Sequence, residues 1–178
     1  TTYLDTPVVS IAAFVNPPTF PADCEQPTRT PMIASVERHS NSRSIGAAAG
    51  STGPFVVNNT FSPQQIIIRS MGQMLVDNPD WDGTAATPEK ITRDYRFGPR
   101  RDGSVVTLTP ASGGAPIVLS SGLDVPGWNN NAITVNVPQG LAPGDYQVTV
   151  TRGHQAASVA PVESPIGVTL TVGHCEFT

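Results

Sequence analysis

Ala132-Ile133-Thr134-Val135-Asn136-Val137 and Tyr146-Gln147-Val148-Thr149-Val150-Thr151 decide the fold of this chain. Each alternates apolar and polar residues at period two, which turns one face of an extended strand inward and the other to water. Between them Pro138 removes a backbone donor, and Ala142-Pro143-Gly144-Asp145 supplies a turn. The same grammar repeats outward. Gly167-Val168-Thr169-Leu170-Thr171-Val172 alternates again. Asp102-Gly103 turns the chain into Ser104-Val105-Val106-Thr107-Leu108-Thr109, and Ser112-Gly113-Gly114 turns it into Ile117-Val118-Leu119. Ile91 to Phe97 alternates around Thr92, Asp94 and Arg96. Gln65 to Ser70 holds the run Ile66-Ile67-Ile68, continuous as in a strand covered on both sides. Phe55-Val56-Val57 and Met32-Ile33-Ala34-Ser35-Val36 complete the set. No helical period persists over three turns. The pattern predicts an all-β protein, an antiparallel β-sandwich.

Composition agrees. Of 178 residues, 16 are Gly, 18 Pro, 19 Val and 19 Thr, which disfavours long helices and suits short strands joined by tight turns. The length fits one domain, or one domain with a small annexe. Charged residues are 13% and the formal net charge is -4. Lys90 is the single lysine and no basic block occurs, so a nucleic-acid phosphate footprint is excluded as a partner class. No apolar run approaches the ~18 residues of a membrane span.

Two regions are expected. Residues 1–30 read as an extended, proline-rich N-terminal arm, punctuated by Pro7, Pro17, Pro18, Pro21 and Pro27 and clinging to other surfaces through Val8, Val9, Ile11, Phe14 and Phe20. Residues 31–178 read as the sandwich, interrupted at 39–53 by a flexible Ser/Gly/Ala insertion. The absence of an initiator Met and the stop just past a strand suggest a segment of a longer polypeptide. Cys24 and Cys175 lie in polar, turn-rich surroundings, where a free thiol is uncommon. An even count in a Lys-poor chain fits a disulfide, an oxidising compartment and a secreted or cell-surface protein, two unrelated thiols being the alternative.

The order of these features resembles the immunoglobulin-like IPT/TIG (E-set) domain. The resemblance rests on residues 132–138, 140–150 and 167–172, covers about residues 30–173, and departs at the insertion and at the long segment from Gly72 to Lys90. Thr1 to Ala13, with Ile91 to Gly98, is also similar to a segment of very large secreted bacterial proteins built of β-rich modules. That resemblance implies a spacer or assembly module.

The residues offer few candidates for chemistry. Asn78-Pro79-Asp80-Trp81-Asp82-Gly83 with Glu89 places oxygen ligands at positions 1, 3, 5 and 12 and Gly at 6, the spacing of a calcium loop. Against calcium, Asn replaces Asp at the first position, Pro79 and Pro88 stiffen the loop, and no helices flank it; the alternative is a turn with solvated carboxylates. His39, His154 and His174 belong to no zinc motif, and no G-x-S-x-G elbow is present. Arg93, Arg96, Arg100 and Arg101 interleave with Tyr95 and Phe97: either a salt-bridged strand-turn surface or a contact for an anionic glycan or protein. Trp81, Tyr95 and Arg96 are the possible ligand surface, while Trp128 reads as a core-edge residue. The expectation is a non-enzymatic structural or assembly module of a large extracellular protein, contacting neighbouring domains or copies of itself through edge strands and the apolar arm. The rival is a carbohydrate-binding or adhesion module, with or without calcium.

Overall fold

The computed structural model describes residues 25–39, 55–57 and 64–173. Residues 1–24 of the proline-rich arm, with all its apolar anchors, residues 40–53 of the insertion, Cys24 and Cys175 lie outside them, so the docking of the arm and the disulfide do too.

Among the described residues the protein is all-β, without helices. Twelve strands are β1 (Ile33–Arg38), β2 (Phe55–Val57), β3 (Gln64–Ser70), β4 (Gln73–Asp77), β5 (Lys90–Asp94), β6 (Val105–Pro110), β7 (Ile117–Leu119), β8 (Gly127–Trp128), β9 (Ala132–Val137), β10 (Gly144–Arg152), β11 (Val162–Glu163) and β12 (Val168–Gly173). One main sheet has the order β1-β3-β9-β8, the other β2-β12-β10-β6-β7 with β11 beside β10. All these ladders are antiparallel except that of β2 with β12. One hydrophobic cluster draws on both sheets: Val36, Ile66, Ile68, Ile133 and Val135 from the first, Val106, Leu108, Val148, Val150 and Leu170 from the second. This is the two-sheet arrangement that period-two alternation demands, since each apolar face needs another to cover it.

The described residues divide into two compact units, one within 27–74 and 94–173 that holds the sheets, the other formed by 75–93 with Glu25 and Gln26. The latter holds most of β4 and β5, which pair as a two-stranded ladder. The Arg93 guanidinium is buried there and donates to the Glu25 and Gln26 carbonyls at 3.1 and 2.7 Å.

Three expectations need correction. The isoleucine run is not covered equally on both sides. Ile66 and Ile68 are fully buried but Ile67 is half-buried, because β3 sits between β1 and β9 with one face on the core. The strand from Ile91 stops at Asp94 rather than Phe97: the Asp94 carboxylate accepts the Arg96 N–H at 3.1 Å, a side-chain turn that replaces ladder bonding, and Gly98 follows at φ +70°. Ser104 lies before β6, its hydroxyl accepting from Arg101 N and Gly153 N at 2.9 and 3.1 Å. Strands β4, β8 and β11 have no counterpart in the sequence pattern. On the outer edge, Phe55 of β2 lays its ring over Gly173, where an added Cβ would fall 2.5 Å from Cζ.

Candidate functional site

The acidic loop closes the β4–β5 hairpin with its own polar atoms. Asn78 is buried; its N–H donates to Glu89 O at 2.9 Å and its side-chain amide to Pro88 O at 2.7 Å, while its Oδ1 accepts from Asp80 N at 3.1 Å. The Asp82 carboxylate accepts from both the backbone N–H and hydroxyl of Thr84, at 2.9 and 2.7 Å. Those bonds hold its pKa below the ordinary value. Asp77 pairs with Lys90. Asp80, Asp82 and Glu89 do not converge: no group of three His, Cys, Asp or Glu among the described residues could hold a metal ion. In this loop Asn78 Oδ1 and the Asp82 carboxylate serve as turn acceptors.

Tyr95 does not belong to a ligand surface. Its side chain is 1% exposed, its N–H donates to Gly72 O, and its carbonyl accepts from Met32 N. Trp81 is half-buried in the 75–93 unit. Arg96 is half-buried and committed to an ion pair: its Nε donates to Asp94 Oδ1 at 2.7 Å, and Arg152 stands 3.8 Å from the other oxygen of that carboxylate. Burial pushes the Asp94 carboxyl up, but the hydrogen bonds from Arg96 and the charges of Arg96 and Arg152 outweigh it, and its pKa lies below the usual value. Arg152 is itself buried, donates to Arg96 O at 3.1 Å, and has its pKa lowered by that burial. This is the salt-bridged strand-turn alternative for that part of the arginine cluster.

A concavity that no motif in the sequence marks lies elsewhere on the same unit, about 630 Å³ in volume and lined by Pro99, Arg100, Trp128, Asn129, Asn130 and Asn131. Trp128 packs against the core cluster, as its place before β9 suggests, and donates its indole N–H to Gly98 O at 3.0 Å. Phe97 N donates to Asn130 O at 2.9 Å, which ties the two lining segments together. Asn129 Oδ1 accepts from Asn131 N and Ala132 N, both at 2.8 Å. Arg100 reaches the Val125 and Ser120 carbonyls at 3.1 and 2.6 Å. The two segments are about thirty residues apart, and no local signal in the sequence joins them.

Compared with known proteins, the chain matches no family model, no curated sequence and no solved structure.

Proposed function

We propose that this chain is a non-enzymatic, immunoglobulin-like structural module of a large extracellular protein, assembling through an edge strand. The order β1-β3-β9-β8 facing β12-β10-β6 corresponds to the A-B-E-D and G-F-C sheets of that architecture. Near the start of β10, the F position, Tyr146 is buried and donates its hydroxyl to Ala142 O at 2.8 Å, as in the tyrosine corner of that class.

The observation that carries the assembly role is β7. It ends its sheet, is bonded only to β6 among the described residues, bears no charge, and leaves Val118 56% exposed. Unpaired backbone groups beside an exposed apolar side chain favour addition of another strand, and edges not meant to pair are usually blunted by charge. Sedimentation velocity across the micromolar range tests this: the protein self-associates, and Val118→Lys makes it monomeric without lowering its melting temperature. A protein that is monomeric throughout refutes assembly of copies through this edge.

A further inference from the structure

The concavity beside Trp128 has the chemistry of a ligand site rather than of a packing defect. It is a shallow, open groove, suited to a chain-like ligand lying along a surface, and it combines an aromatic wall with a few placed polar groups. The wall is fixed, because the core on one side and the indole N–H bond to Gly98 O leave Trp128 little freedom. The polar groups are held in part as well. Asn129 spends its side-chain oxygen on two backbone N–H groups and keeps its amide N–H donors. Asn130 and Asn131 use their backbone carbonyls on Phe97 N and Ser70 N, so the chain is anchored while their side chains stay exposed. Arg100 commits two of five guanidinium N–H groups to carbonyls, retains the others, and has no acidic partner among the described residues.

The geometry points to a binding site for an acidic oligosaccharide, one sugar ring lying against the Trp128 indole and a uronate-type carboxylate on Arg100. A pyranose has one face of C–H groups that suits an indole. Its hydroxyls both donate and accept, as side-chain amides do. No carboxylate lines the groove, so the single cation acts unopposed and favours an anionic ligand. The inference does not rest on the assembly reading.

The test is a fluorescence titration of Trp81→Phe protein, in which Trp128 is the remaining indole, with oligogalacturonate and with cello-oligosaccharide as the neutral control. Saturable change with oligogalacturonate is expected, weakened by added salt and at least about tenfold weaker in Arg100→Gln. Asn130→Ala leaves every backbone bond in place and should weaken binding by about threefold to tenfold. No saturable change with either sugar overturns the site. Equal binding of both sugars overturns the acidic class, and unchanged binding in both variants overturns the location.

Discussion

Replacing Gly153 by alanine tests how tightly the end of β10 is docked on the 101–104 turn. An ideal Cβ at 153 collides with Asp102 O and falls 2.6 Å from Ser104 Oγ and 2.8 Å from Ser104 N. Two of the three obstacles are backbone atoms, which no rotamer change can move. The turn must withdraw, and the bonds that hold it to this end of β10 then stretch: His154 N to Asp102 O at 2.9 Å and Gly153 N to Ser104 Oγ at 3.1 Å. Overpacking costs about 1–3 kcal/mol and each bond about 1 kcal/mol, so Gly153→Ala should lose about 3–5 kcal/mol. Gly140 is the control. It stands at φ +72° with nothing within 4 Å of an added Cβ, so Gly140→Ala isolates left-handed backbone strain of about 1–2 kcal/mol. Urea denaturation reads both, a shift in midpoint at constant slope identifying a change in stability. A Gly153→Ala loss no larger than that of Gly140→Ala would refute the docking argument.

Tyr146→Phe keeps the buried ring and removes the bond to Ala142 O; because Ala142 is exposed and its carbonyl can turn to water, the loss should be about 0.5–1.5 kcal/mol by the same denaturation assay. Asp94 has a lowered folded-state pKa, so its stabilisation is complete above the unfolded value of about 3.9 and disappears as pH falls through the folded value. Melting temperature against pH should fall less steeply on the acid side in Asp94→Asn than in the parent, and parallel acid limbs would count against the Arg96–Asp94–Arg152 contact. Ile66→Ala should cost about 2–5 kcal/mol, and Ile67→Ala clearly less, since only the former side chain is fully buried; equal losses in urea melts would contradict the facing of β3.

The sheet strands are legible because alternation is a local signal and the core reads it directly. Ile133, Val135, Val148 and Val150 need no distant information: all four are fully buried, as their spacing requires. The same alternation places Tyr95 with Phe97 on the inward face, and it outweighs the attraction of an aromatic among arginines as a ligand platform. β4 is hidden because Met74-Leu75-Val76 is a continuous apolar run of which only Val76 is buried. β8 and β11 are two residues each, too short to show a period. The acidic loop is harder to read, because ligand spacing describes a chain whereas a metal shell requires convergence, and Asn78 Oδ1 and the Asp82 carboxylate accept turn hydrogen bonds that the spacing does not announce. The Trp128 groove depends on bonds between Phe97 or Gly98 and residues 128–130, a tertiary fact with no counterpart in either segment alone.

The pairing of β2 with β12 has a mechanical meaning. These are parallel neighbours, with Thr171, Val172 and Gly173 opposite Phe55, Val56 and Val57. A load entering at the N-terminal end of β2 and leaving at the C-terminal end of β12 pulls the two strands along their axes in opposite senses. The ladder is then sheared, and its bonds carry the force together instead of opening one after another like a zipper. The Phe55 ring lying over Gly173 adds an obstacle to that sliding, so a side chain at 173 would displace the ring and weaken the joint against force.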